Sequence, residues 1–161
     1  MGLKPIKRSE SIVQLSREHH FSLLFCWKIR EGIKKGITPS RMMGYVRYFW
    51  KVNLEQHFKQ EEEILLASLP EDKMVGRALD EHNAIRESVA ALFATPEQEV
   101  VRELERFTGQ LEKHVRFEER ELFPYLEKTL SASQQQEISE RLRSAHNDPL
   151  VDDYEDEFWA R

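Results

Sequence analysis

The chain of 161 residues has little of several residue types that particular folds require. It contains one cysteine, Cys26, which excludes an internal disulfide framework and any metal site built from several thiolates. It contains only six glycines and six prolines, too few for the many turns of a β-sandwich or a β-barrel. With 40% apolar and 33% charged residues, the composition predicts one globular domain made mainly of long helices.

Charge and hydropathy argue against two further classes of partner. The chain has 24 Lys and Arg against 29 Asp and Glu, a net charge of −5, so we expect no nucleic-acid partner. No stretch approaches the run of about 18 uncharged apolar residues that a membrane span needs, so we expect no membrane partner. The basic N-terminus is not followed by the apolar run of a signal peptide. The expected location is the cytoplasm.

Sparse turn signals divide the chain into helical segments. The interruptions are GITPS (36–40), SLPED (68–72), ATPEQ (94–98) and SAS (131–133). They leave five segments with apolar residues at helical spacing: 9–34, 39–68, 72–93, 96–129 and 133–144. Four of them are long enough for bundle helices. The sequence therefore predicts an all-α fold, an up-down-up-down antiparallel four-helix bundle with a short fifth helix and a C-terminal tail.

The last residues differ in composition from the rest of the chain. We assign 1–145 to the bundle domain and 146–161 to an acidic, aromatic tail. The tail contains the carboxylate residues Asp148, Asp152, Asp153, Glu155, Asp156 and Glu157, with the aromatic residues Tyr154, Phe158 and Trp159 among them. The composition leaves open whether this tail is a solvated acidic segment or docks, either on this chain or on a protein partner.

A histidine replaces an apolar residue on the inward stripe of each long helix. The stripes are Ile12, Leu15, His19, Ser22 and Cys26; Phe49, Asn53, His57, Glu61 and Ile64; Ala78, His82, Ile85 and Val89; and Phe107, Leu111, His114, Glu118 and Leu122. In two stripes a glutamate follows the histidine by four residues, which places both side chains on one helix face. Burying these carboxylates without partners costs several kcal/mol each. A bound cation resolves that conflict.

The candidate metal ligands are His19, His57, Glu61, His82, His114 and Glu118. No thiolate belongs to this set, and a mixture of imidazole and carboxylate suits iron, manganese or zinc. If Glu61 and Glu118 each bridge two metal ions, each ion receives two histidine nitrogens and two carboxylate oxygens. A bridging oxide or hydroxide then still leaves exchangeable positions on the metals.

Four stretches of the sequence resemble the hemerythrin family, in particular its bacterial hemerythrin-like (HHE cation-binding) branch. They are EHHFSLL, HFKQEEEILL, EHNAI and HVRFEERELFPYLE, and the similarity covers roughly residues 10–130. The resemblance implies a four-helix bundle that holds a non-haem centre of two iron ions (Fe2+/Fe3+). It also implies, by motif position, the same six residues as ligands.

The sequence departs from the oxygen-carrying hemerythrins at two positions. Those proteins have H-x-x-x-H on the third helix, whereas His82 is followed one turn later by Arg86. Their last motif is H-x-x-x-x-D, whereas Glu118 and Glu119 are both candidates here. The missing fifth histidine argues against reversible oxygen carriage. His20 is an alternative fifth ligand, or an alternative to His19, although it lies about 100° around the helix from His19.

Other titratable residues have simpler interpretations. Cys26 is interpreted as a buried, inert thiol. His146 is interpreted as a surface loop residue. The remaining acidic residues of the two motifs are interpreted as solvated helix faces, with Glu119 alone kept as a ligand candidate: Glu62, Glu63, Glu119 and Glu121.

Three functions follow as hypotheses. The first is a di-iron protein that binds or senses O₂, NO or peroxide at open metal positions, and is not an enzyme. The second, which the resemblance implies, is a di-iron enzyme of NO or peroxide detoxification or of iron–sulfur cluster repair. The third is an iron-storage or regulatory protein whose acidic, aromatic tail recruits a partner.

Overall fold

We describe the fold from a computed structural model, in which the residues described are 8–145 and 150–160. Every regular element in those two ranges is helical. Five helices follow one another, namely Val13–Lys34, 39–68, Lys73–Phe93, 97–129 and Ala132–Ala145. The four long helices form the antiparallel bundle and Ala132–Ala145 is the short fifth helix, so the predicted all-α fold is confirmed.

The second and fourth helices contain π-helical turns. The second helix consists of Pro39–Phe49 (α), Trp50–Leu54 (π), Glu55–Gln60 (α), Glu61–Leu65 (π) and Leu66–Ser68 (3₁₀). The fourth consists of Glu97–Phe117 (α), Glu118–Leu122 (π) and Phe123–Thr129 (α). Single π turns occur frequently at functional sites. Two of these three begin at the candidate ligands Glu61 and Glu118.

Two apolar clusters fill the bundle, and a polar layer separates them. One cluster is built around Phe25, Ile29, Phe49, Leu104 and Phe107. The other is built around Ile12, Leu15, Leu65, Leu122 and Phe123. On the first helix, His19 lies between Leu15 of one cluster and Phe25 of the other. The candidate ligands of all four helices occupy this intermediate layer, so apolar packing on both sides closes the layer to solvent.

The C-terminal tail packs on the first two helices of the same chain. Phe158 is 2% exposed and belongs to the apolar cluster of Phe25. Two glycines make room for the tail, because a Cβ at Gly32 would lie 2.7 Å from Phe158 Cε2 and one at Gly44 would lie 2.6 Å from Tyr154 Oη. Of the open alternatives, the described part of the tail therefore docks on its own chain.

Ion pairs and a cation–π contact reinforce this docking. Lys28 Nζ lies 3.0 Å from Asp152 Oδ2 and 4.1 Å from the centroid of the Trp159 ring. Arg41 donates two hydrogen bonds to Asp156, at 2.9 and 2.7 Å. The acidic residues thus neutralise basic side chains of the first two helices. Asp148 lies outside the described residues, and the division of the chain at 145/146 stays a prediction.

The third helix has a side-chain cap at its start. Asp72 accepts hydrogen bonds from the backbone N–H groups of Met74 (2.8 Å) and Val75 (3.2 Å). These groups have no partner within the helix, so the cap stabilises its first turn. This helix carries His82 into the polar layer.

Within 8–145 and 150–160, no helix combines the length and the apolar character needed to cross a membrane.

Candidate metal centre

Four imidazoles and two carboxylates meet in the polar layer between the two apolar clusters. Each of the six side chains is at most 3% exposed. They form two groups of four ligand atoms, and within each group the atoms lie within 4.8 Å of one another. One group consists of His19, His57, Glu61 and Glu118, and the other of His82, His114 and the same two glutamates. The structure therefore brings all six sequence-predicted candidates together.

Each shared glutamate turns one oxygen toward each pair of histidines. Glu61 Oε1 lies 2.5 Å from His57 Nε2 and 3.4 Å from His19 Nε2, and its Oε2 lies 3.0 Å from His82 Nε2. Glu118 Oε1 lies 2.8 Å from His19 Nε2. Its Oε2 lies 3.3 Å from His82 Nε2 and 3.4 Å from His114 Nε2. Two carboxylates placed between two histidine pairs can bridge two cations.

Several atoms at this site are buried but make no hydrogen bond within the described structure. They are both carboxylate oxygens of Glu61 and the Nε2 atoms of His57 and His114. Even the 2.5 Å approach of His57 Nε2 to Glu61 Oε1 lacks hydrogen-bond geometry. A buried polar atom left unsatisfied costs about 1–3 kcal/mol. Cations between these atoms would use their lone pairs, so the donor set fits bound metal ions.

A second set of glutamates accepts a hydrogen bond from the outer nitrogen of each histidine. The Nδ1 atoms of His57, His82, His114 and His19 lie 2.7–2.8 Å from carboxylate oxygens of Glu18, Glu62, Glu81 and Glu119, respectively. Each glutamate lies one helix before its histidine, and Glu119 of the fourth helix closes the ring on His19 of the first. Such bonds keep a proton on Nδ1, so that Nε2 is the nitrogen that would offer its lone pair to a bound metal ion at the centre.

The outer ring corrects the interpretation of Glu62 and Glu119 as solvated helix faces. Both carboxylates hold histidines of neighbouring helices and are only about a quarter exposed, at 24% and 26%. Glu119 belongs to neither group of candidate ligands, because it contacts the outer nitrogen of His19. Every glutamate of the ring is adjacent in sequence to a candidate ligand. That adjacency is the signal that could have identified the ring.

The structure also places the other residues that the sequence offered as alternatives. His20 is exposed and belongs to neither group of candidate ligands, so the structure gives no support to it as a fifth ligand or as a replacement for His19. Cys26 is buried as predicted, and burial raises the pKa of its thiol to about 12. His146 lies outside the described residues. Arg86, at the position of the missing histidine, extends to Glu62, with Nη1 2.9 Å from the carboxylate.

The carboxylates of this layer are ionised and are balanced by positive charge on their histidine partners. Burial lowers the pKa of His57, but Glu61 and Glu18 outweigh it and raise that pKa to about 9. Burial and the charge of Glu118 raise the pKa of Glu61, but His57 and His19 outweigh them and lower it to about 2. The carboxylates therefore stay ionised. In the metal-free protein, protons on the imidazoles balance them, and bound metal ions would replace those protons.

The fold and the site together define a helical-bundle protein with buried histidine and glutamate groups suited to a metal. The family model for the hemerythrin HHE cation binding domain matches residues 11–126, with a second, overlapping match over 74–148. The chain belongs to the hemerythrin HHE cation-binding domain family. Comparisons with curated proteins and with solved structures find no match.

Proposed function

We propose that the chain holds two iron ions, which Glu61 and Glu118 bridge together with an oxide or hydroxide. The observation that carries this proposal is the pair of four-residue groups that share both glutamates. Each position receives two imidazole nitrogens and two carboxylate oxygens, a donor set typical of iron, with manganese or zinc as the alternatives. Cation binding by the family supports the same conclusion.

We further propose that the centre binds or senses O₂, NO or peroxide. Four protein atoms for each metal ion leave positions for a further ligand, and bound iron would supply the redox chemistry that such ligands require. A cavity of about 190 Å³ lies between the third and fourth helices. It is lined by Glu81, Ala84, Ile85, Gln110, Lys113 and His114. The six side chains of the centre are each at most 3% exposed, and this burial favours a small diatomic or oxidant ligand over a large organic substrate.

The protein's own residues define the conditions at the centre. The two apolar clusters exclude water from it. The outer carboxylates keep the proton on Nδ1 of each histidine, so that all four Nε2 atoms are free to ligate. Recruitment of a partner by the tail stays a prediction, and the acidic residues Asp153, Glu155 and Glu157 of the docked tail are exposed. We place the protein in the cytoplasm, a proposal that its single, unpaired cysteine supports.

Loading with Fe(II) under anaerobic conditions tests the proposal. We expect about two irons per chain by elemental analysis, and an optical spectrum that changes on exposure to air, NO or peroxide. The variant His57→Ala should lose this response, whereas His20→Ala, which changes an exposed neighbour of His19, should keep it. A colourless protein that takes up no metal would refute the proposal. Many turnovers of NO or peroxide, abolished in His57→Ala, would instead identify an enzyme.

A further inference from the structure

Arg86 connects the outer carboxylate of one histidine with the ring that stacks on the same histidine. Its Nη1 lies 2.9 Å from Glu62 Oε2, and Glu62 accepts the hydrogen bond from His82 Nδ1. Its guanidinium carbon lies 5.7 Å from the centroid of the Phe58 ring. Phe58 stacks on His82 with centroids 4.0 Å apart and planes inclined by 14°. Arg86 therefore contacts both groups that fix the orientation of the His82 ring.

Arg8 makes a similar but looser arrangement around His19, and it also pairs with Glu127, whose Oε1 lies 3.3 Å from Arg8 Nη1. Its Nη2 lies 3.5 Å from Glu119 Oε1, and Glu119 accepts the hydrogen bond from His19 Nδ1. Its guanidinium carbon lies 5.8 Å from the centroid of the Phe123 ring. Phe123 stacks on His19 with centroids 5.3 Å apart and planes inclined by 9°. The same four residue types thus recur around one histidine of each group.

Arg77 shows what a less complete arrangement looks like. Its Nε lies 2.9 Å from Glu81 Oε2, and Glu81 accepts the hydrogen bond from His114 Nδ1. Its guanidinium lies 3.8 Å from the centroid of Phe117, but the Phe117 ring is 6.5 Å from His114 and tilted by 47°. Phe117 therefore does not stack on the histidine. An arginine at this position holds the carboxylate without also holding a stacked ring.

We propose that Arg86 and Arg8 are positioning residues of the metal centre. Each fixes a carboxylate and a phenylalanine that together set the orientation of one imidazole, His82 or His19. The inference rests on the proposed metal-binding function.

The physical reason lies in the freedom of the outer carboxylate. Glu62 is 24% exposed, so without Arg86 its side chain gains rotamers and water contacts that compete with the bond to His82. An exposed ion pair by itself contributes about 0–1 kcal/mol. Here the pair is joined to a buried imidazole, whose tilt and rotation decide whether Nε2 points at the metal. Loss of Arg86 should therefore appear in metal affinity more than in folding stability.

A double-mutant cycle on the full-length protein tests this inference. The variants are Arg86→Met, Glu62→Gln and the two combined, and the measurement is the affinity for Co(II) in competition with a chelator. Removal of an outer-shell partner typically weakens binding about 10- to 100-fold. We expect Glu62→Gln to fall in that range for one of the two ions and Arg86→Met to weaken it about 10-fold, the lower end of that range. Because Arg86 acts in part through Glu62, the loss of affinity in the combined variant should be smaller than the sum of the two single losses.

Two further variants and one spectroscopic measurement separate positioning from a general structural role. Arg86→Lys keeps the charge and should recover most of the affinity. Arg106→Met removes an exposed arginine that pairs with Glu103, and should leave the affinity unchanged. In the NMR spectrum of the Co(II)-loaded protein, Arg86→Met should accelerate solvent exchange of the His82 Nδ1–H. The His57 Nδ1–H donates its hydrogen bond to Glu18 rather than to Glu62, so its exchange rate should be the same as in the wild type.

The outcomes distinguish this inference from the proposed function. If the wild-type protein binds no Co(II), the proposed metal centre itself is wrong. If it binds two ions and Arg86→Met binds them with unchanged affinity, the positioning role alone is refuted. Losses that add in the combined variant would also refute it, because they would show that Arg86 does not act through Glu62. Should Arg86→Met fail to fold, the comparison of Arg86→Lys with Arg86→Gln carries the same test.

Discussion

Removing metal from this protein should leave its stability dependent on pH through His57. The pKa of His57 in the folded chain is about 9, against an ordinary value of 6.5, because Glu61 and Glu18 favour the protonated ring. A pKa that is raised on folding stabilises the folded state fully below pH 6.5. The stabilisation disappears as the pH rises through 9. The free energy of unfolding of the metal-free protein should therefore fall over this interval.

The size of the fall follows from the difference between the two pKa values. One pKa unit corresponds to about 1.4 kcal/mol, so the fully buried His57 contributes on the order of 3 kcal/mol. Burial lowers the pKa values of His19, His82 and His114, but their carboxylate partners raise all three above the ordinary value, so they act in the same direction. In the metal-loaded protein the dependence should reverse. Protons compete with metal for the imidazoles, so stability should increase as the pH rises.

Urea denaturation of the chelator-treated protein, followed by circular dichroism from about pH 6 to about pH 10, measures this dependence. The variant His57→Gln should flatten the profile by on the order of 3 kcal/mol. The matched variant His20→Gln should leave it unchanged, because His20 is exposed. If the wild-type and His57→Gln profiles run parallel, the assignment of His57 as a charged partner of Glu61 is wrong.

Three further predictions concern the scaffold around the centre. Phe158→Ala should lower the free energy of unfolding by about 3–5 kcal/mol, because it removes a buried ring of the docked tail. Elemental analysis should find its metal content unchanged, and a loss of metal would contradict the separation of the tail from the centre. Asp72→Ala should lower the free energy of unfolding, measured by urea denaturation, by about 1 kcal/mol, and Asp72→Asn, which keeps an acceptor for the cap, should lower it less. Equal decreases in the two variants would contradict the role of Asp72 as the helix cap. The thiol of Cys26 should be alkylated at neutral pH only after denaturation, because it is buried and burial raises its pKa to about 12. Rapid alkylation of the native protein would contradict that burial.

The helices and the six candidate ligands could be predicted because both depend on local spacing. The predicted segment 39–68 matches the second helix, and its His57 and Glu61 lie one turn apart on the inward face. The π turns that begin at Glu61 and Glu118 could not be predicted. Apolar spacing in the sequence indicates only a regular helical period. The wider π turns depend on packing at the centre and have no signature in the neighbouring residues.

The outer carboxylates and the tail depend on distances between helices, which a single sequence does not contain. Glu62 is adjacent to Glu61 and therefore about 100° around the helix, a position typical of a solvated face. Only the approach of the third helix brings His82 within reach of it. The tail docks where Gly32 and Gly44 expose bare backbone, and those glycines are more than a hundred residues away in sequence. No periodicity of the tail itself indicates that surface.

An anomalous difference map from crystals of the iron-loaded protein, recorded at the iron absorption edge, tests the central claim most directly. We predict two peaks inside the bundle, one between Glu61, Glu118 and the pair His19 and His57, and the other between the same glutamates and the pair His82 and His114. A map with no peak among these six side chains, from crystals grown at full metal loading, would contradict the claim that cations hold these buried groups together.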